Sequence, residues 1–313
     1  VVLDGQEEAG SANFRRFLLE HQVEFAADLA ITLDGPQHPS GYATQYFGVR
    51  GSASLTLTVH TASTDLHSGN YGNWAPDPSF RLAQLLGSMK AADGTVLIPG
   101  FYDQVTPLTD AEQAAIARMP AVEAALASSF GIAVPEMPDK RLEEKLNLPT
   151  LNVLAMDSGG GLGAPARTAI PAYASARLAM RLVNGIDPDV ITQRVIDHIK
   201  AQGYEVVLNR APTSEERSTY PLLAEIQTST GRAATRSSLD IPIVTALTTA
   251  MTLDGIGPVQ LPTLGGGLPF AEFSETLGMP TVGVPLVNFD NNQHAADENL
   301  KLLNLWQALE LLA

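Results

Sequence analysis

The chain of 313 residues is 45% hydrophobic and 17% charged, the balance of a globular protein of one large or two medium domains, and no apolar run approaches the roughly 20 residues that span a bilayer. Its formal charge of −15 would repel phosphate backbones, and no basic stripe offsets it, so neither nucleic acid nor membrane is an expected partner. A cationic ligand or a metal suits such a chain better, and with no cysteine any transition metal must be held by His, Asp and Glu.

Residues 1–3 read as a strand, 11–21 as a helix with Phe14, Phe17 and Leu18 on one face, and 28–34 as a second strand, the βαβ rhythm of a parallel sheet. Prolines and glycines in LDGPQHPSGY close that unit in a loop. From Arg50 the period changes. SASLTLTV alternates small polar and apolar residues, as a half-exposed antiparallel strand does. Further strands are expected at 150–156, 168–183 and 204–209, with helices at about 78–90 and 187–201 and an Ala-, Asp- and Glu-rich helical stretch at 109–148. After RAPTSEERS the chain returns to helix (241–251), a buried strand (281–287) and a closing Leu-rich helix from Asp297. The expected fold is α/β: a mostly parallel-sheet domain (1–49 and 211–313) interrupted by an inserted α+β domain (50–210).

Each candidate site residue has a structural alternative. Asp4 and Glu7 have the spacing of a helix cap with its capping-box acid, and Glu8 also suits a helix N-terminus. Adjacent glutamates at a strand's carboxyl end equally suit a divided role, one facing a metal and one a substrate. Asp34 is a turn aspartate before Gly35 and Pro36, or a ligand at the crevice where parallel strands end. His294, in NNQHAADEN, follows the buried strand 281–287; with Glu8 and Asp34 it makes a carboxylate–imidazole set suited to zinc, manganese or cobalt. His67, in TDLHSGNYGN, belongs to a surface turn or lies where backbone can approach a ligand. Arg177 and Arg181 share the solvated face of one strand, where an arginine can also meet a carboxylate. LGGGLP (264–269) offers consecutive backbone N–H groups to an anion, or is a hinge. SGGGLGA (158–164) imitates a dinucleotide fingerprint, but PARTAIP follows where a helix should start.

Taken together, DGQEEAGS, TLDGP, RGSASLTLTV with DLHSGNYGN, TAIPAYASARLAMRLV and NNQHAADEN resemble, in order and over nearly the whole chain, the dinuclear zinc peptidases and deacylases of the aminoacylase, glutamate carboxypeptidase and carnosine dipeptidase group. DLHSGNYGN favours the carnosine-dipeptidase-like branch. The resemblance implies two divalent ions, zinc first and manganese or cobalt otherwise, with Glu8, Asp34 and His294 as ligands and Glu7 as general base. It implies that His67 stabilises the tetrahedral intermediate in the partner subunit of a homodimer. Arg181, with Gly265, Gly266 and Gly267, would hold the substrate's carboxylate. The implied activity is hydrolysis of amide bonds in dipeptides; the alternatives are an N-acyl amino acid deacylase or a catalytically incomplete binding protein.

Two departures stand out. Gly267 occupies a position where the family often has serine. The family's first histidine ligand and its bridging aspartate lie upstream of the paired glutamates, and nothing is upstream here. A chain that opens without methionine on what reads as a core strand is expected to come from a longer protein. A cytoplasmic location is favoured, with secretion or the periplasm left open for the same reason.

Overall fold

The computed structural model describes residues 1–159, 168–252 and 254–312. The chain divides into two compact units, Val1–Arg50 with Thr106–Asn147 and Ala234–Ala313, and Gly51–Val105 with Leu148–Ala233. The division departs from the expected boundaries in two places. Residues 106–147 pack with the first unit rather than the insertion, and 211–233 belong to the second.

The reasons are local. In the Thr106–Asn147 segment the helix Asp110–Arg118 packs on the strand Val259–Leu261, and its buried Glu112 pairs with Arg236 Nε at 3.0 Å. Arg236 also donates to the carbonyls of Thr106 and Pro107. In the second unit, the unexpected strand Leu223–Thr228 pairs antiparallel with Gly51–His60 and parallel with Glu205–Leu208.

The first unit is built on a four-stranded mixed sheet. The strands Ala30–Thr32 and Thr281–Gly283 run parallel, Gly283 opposes Tyr46 in the antiparallel strand Thr44–Tyr46, and Val259–Leu261 runs parallel to the latter on its other side. Residues 1–3 form no strand: Val1 and Leu3 are exposed and no described strand pairs with them, so the alternating backbone bonds of a ladder are missing. The helix Phe14–Glu20 buries Phe14 and Leu18 but leaves Phe17, expected on the same face, exposed; it packs on the helix Phe270–Leu277, with Phe14 edge-on to Phe273 at 5.4 Å.

The second unit is a five-stranded sheet in the order Thr150–Asp157, Tyr173–Leu182, Gly51–His60, Leu223–Thr228, Glu205–Leu208. Alternation along Gly51–His60 sends Ala53, Leu55, Leu57 and Val59 into the core and the Ser and Thr side chains to the opposite face. Two helices, Pro78–Gly87 and Pro188–Ala201, cover the apolar face. Each starts the same way: Asp77 and Asp187 accept hydrogen bonds from the first turn, and a proline follows. Each fully buried Leu of this core contributes about 1.5–3 kcal/mol.

Candidate active site

In the first unit the paired glutamates sit on a 3-10 turn, Glu7–Ala9, and Asp4 fastens it at both ends. One Asp4 oxygen accepts from Gln6 N at 2.8 Å and the other from Ser11 Oγ at 2.6 Å. The capping residue of the turn is Gln6, with no side-chain cap bond. Glu7 is therefore not the capping acid that its spacing from Asp4 suggests.

Glu8 and His294 meet. The imidazole Nε2 lies 3.1 Å from Oε1 and 2.9 Å from Oε2 of Glu8. His294 is held in left-handed backbone (φ 62°), in a loop tied by its own asparagines. Buried Asn288 donates to Asp290 at 2.8 Å and to Asn299 at 3.2 Å, and the carbonyl of Asn291 accepts from Asn299 N.

Parallel pairing of Ala30–Thr32 with Thr281–Gly283 puts Asp34 past the carboxyl end of one strand and the His294 loop past the same end of its neighbour. One carboxylate oxygen of Asp34 accepts from Gly35 N, and its carbonyl accepts from the Tyr46 hydroxyl at 2.7 Å. Burial pushes the Tyr46 phenol up; the charges of Asp34 and Glu7 push it the same way, against its contact with Thr32. Glu7 and Asp34 thus both lie within electrostatic reach of one buried hydroxyl, which nothing in the sequence had singled out.

Two ligands of one tetrahedral ion, each at about 2.0–2.1 Å, lie about 3.3 Å apart. The separation of Glu8 and His294 is close to that of two donors on one ion. Among the described residues, however, no group of three or more His, Asp or Glu converges. Asp34, turned onto Gly35 N, does not join the other two in such a group. Donor type and spacing suit a divalent ion along one edge of its shell; donor number falls short of a closed site.

The glycine run lies in the same unit. Leu264 N donates to the Gly48 carbonyl at 2.8 Å and Arg50 N to the Gly266 carbonyl at 3.0 Å, which orders the loop. The N–H groups of Gly265, Gly266 and Gly267 have no protein partner among the described residues. None of the three has positive φ. The fingerprint-like stretch 158–164 lies largely outside the described residues, from 160 onward.

In the second unit, His67 ends the short strand Leu66–His67 and caps the four-residue helix Ser68–Tyr71, its Nδ1 accepting from Gly69 N at 3.1 Å. An accepting Nδ1 carries no proton, so the neutral ring carries it on Nε2. A Cβ at position 69 would come within 2.8 Å of His67 Cε1, so glycine there makes room for the ring. Arg181 is exposed on Tyr173–Leu182 opposite Ser52 and Thr150. Its guanidinium has no protein partner among the described residues.

The peptidase dimerisation domain of the M20 family matches residues 47–207, just over half of the chain. Across its whole length the chain is 25% identical to the Beta-Ala-His dipeptidase of Mus musculus, of which it covers 62%. It spans less than two thirds of the length of this and the other Beta-Ala-His dipeptidases it matches. Among solved structures it resembles an M20 family metallo-carboxypeptidase from Sulfolobus solfataricus, with TM-score 0.76 and 25% identity over 98% of this chain and 67% of the other. The likeness to the dipeptidase Dug1p of Saccharomyces cerevisiae is one of fold, with TM-score 0.77 and 22% identity over 99% of this chain and 63% of the other. The chain belongs to the M20 peptidase family, among its carnosine-dipeptidase-like members.

Proposed function

We propose that the protein hydrolyses the amide bond of dipeptides with the help of divalent metal ions, zinc first and two in number. The observation that carries this reading is the Glu8–His294 pair at ligand spacing, with Glu7 one residue away on the same turn. Its relatives' names, Beta-Ala-His dipeptidase and Cys-Gly metallodipeptidase, support the same substrate class.

In this reading Glu8, His294 and Asp34 hold metal. A divalent ion supplies Lewis-acid polarisation of the scissile carbonyl and acidification of water. Glu7 takes the proton from the attacking water and returns it to the leaving amine, so water and amide become carboxylic acid and amine with no proton left over. His67 presents Nε2–H as a donor to the developing oxyanion, in trans across the dimer. Arg181 and the free N–H groups of Gly265, Gly266 and Gly267 bind the substrate's terminal carboxylate.

The homodimer forms, in this reading, through the outer edge of Thr150–Asp157. That strand is the end of its sheet, and Val153, Leu154 and Met156 are exposed along it. A long edge carrying exposed apolar side chains invites a second strand.

The test is turnover of a panel containing β-Ala-His, Cys-Gly and N-acetyl amino acids, before and after chelation and with Zn²⁺ or Mn²⁺ restored. Dipeptide cleavage that disappears on chelation and returns with metal is the expected outcome. Preference for the N-acetyl compounds would replace the dipeptidase by a deacylase, and inertness towards all of them would leave a binding protein.

A further inference from the structure

Within the first unit, a line of buried polar side chains outside the expected set links two parts of the candidate site. His38, four residues beyond Asp34 and 3% exposed, has its Nε2 3.0 Å from Oε1 of Glu143, which is 1% exposed. The other ring nitrogen lies 2.8 Å from Ser40 Oγ. The second Glu143 oxygen lies 3.3 Å from Arg141 Nε, close enough for attraction but without hydrogen-bond geometry.

Glu143 belongs to the short helix Leu142–Leu146. At the end of that helix Asn147 donates to the Glu143 carbonyl at 2.8 Å and accepts from Thr263 Oγ1 at 2.8 Å. Thr263 is buried just before the glycine run, and Leu146 lies 3.3 Å from where a Cβ on Gly265 would stand. The His38 side reaches further still: Gln37 N donates to the Val287 carbonyl at 2.9 Å, and Asn304 to Gln37 Oε1 at 2.7 Å. Val287 lies on the path to His294. One helical turn therefore grips the loop that follows Asp34 and the loop that starts the glycine run.

A buried carboxylate is a costly way to fasten a helix, and an apolar residue would hold it as well. Hydrogen bonds differ from apolar contacts in fixing direction as well as distance, which a ligand-bearing loop needs. We propose that Glu143 and Asn147 are positioning residues. Glu143 acts through His38 on the loop that presents Asp34, and Asn147 acts through Thr263 on the glycine loop. The proposal rests on the reading of this region as a metal-dependent hydrolase site.

The experiment uses the full-length protein and Zn²⁺ affinity measured by competition with a chromophoric chelator. Glu143→Leu, which removes the acceptor for His38, is expected to weaken Zn²⁺ binding about 10-fold or more, and Glu143→Gln, which keeps an oxygen there, to recover most of it. A folded Glu143→Leu protein with wild-type Zn²⁺ affinity overturns the Glu143 role. If that variant does not fold, His38→Gln breaks the same link from the other side and is judged by the same criterion. For Asn147, Thr263→Val is expected to raise KM about fivefold at unchanged kcat, and Thr263→Ser to restore it. An unchanged KM in Thr263→Val overturns that role. A wild type that binds Zn²⁺ but cleaves no dipeptide defeats the hydrolase reading and the Asn147 role with it, while the Zn²⁺ measurements still judge Glu143 without turnover. A wild type that binds no Zn²⁺ overturns both.

Discussion

The ring of Tyr46 fills the space where a side chain at position 283 would stand: a Cβ on Gly283 would fall 1.8 Å from Tyr46 Cζ. The two residues are register partners in the sheet, and the same Tyr46 hydroxyl donates to the Asp34 carbonyl. Gly283→Ala must displace a fully buried ring and is expected to destabilise the protein by about 3 kcal/mol or more. Tyr46→Phe keeps the ring and loses the hydroxyl contacts, an expected cost of about 1 kcal/mol. Denaturant unfolding of the two variants checks the order; equal costs would mean that the close approach is relieved by backbone movement.

Glu7 and Glu8 are neighbours with different surroundings, and their substitutions should separate. Glu7→Gln is expected to lower kcat at least about 100-fold while metal content, read by mass spectrometry, stays at the wild-type level. His294→Ala, which leaves Glu8 without its imidazole, is expected to lose metal first and activity as a consequence. Metal loss in Glu7→Gln would move that residue from base to ligand.

His67 offers a test that leaves its own chemistry intact. Gly69→Ala pushes a methyl against the ring and breaks the Gly69 N–H to Nδ1 contact, so kcat is expected to fall about 10- to 100-fold. The melting curve should change little, because the site is an exposed turn. Full activity in Gly69→Ala would show that the ring orientation set by this turn does not matter to the reaction.

The edge strand predicts an oligomeric change. Leu154→Lys combined with Met156→Lys places two charges on the exposed edge of Thr150–Asp157, and light scattering is expected to show the dimer dissociating to monomer. A variant that remains dimeric would place the interface elsewhere.

His60 should make stability depend on pH. It lies between Glu225, 3.0 Å from Nε2, and Arg217, 2.9 Å from Nδ1. Burial lowers its pKa below the usual 6.5, Arg217 lowers it further, and Glu225 works against both. The folded state therefore binds this proton less readily than the unfolded chain. Its contribution to stability is fully present above about 6.5 and is lost as pH falls from there towards the depressed folded pKa. His60→Gln is expected to flatten that part of the stability profile, and an unchanged slope would mean that another group controls it.

Periodicity alone placed most of the second unit. The alternation of residues 52–59 fixed which face is apolar, and the helices expected at about 78–90 and 187–201 start at Pro78 and Pro188, because those signals are local. The motifs pointed to Glu8 and His294 as partners across 286 positions, and the fold put them in contact. Tertiary structure alone decided the rest. A three-residue strand such as Thr44–Tyr46 has too few residues to show a period, so neither it nor Tyr46's role beside Asp34 was legible. His38 read as part of a loop-breaking run of prolines and glycines; burial and Glu143, 105 residues away, turn it into an anchor. Likewise, helical composition identified the stretch 109–148 but not its unit. Its membership was fixed by long-range pairs such as Glu112 with Arg236, which no local pattern encodes.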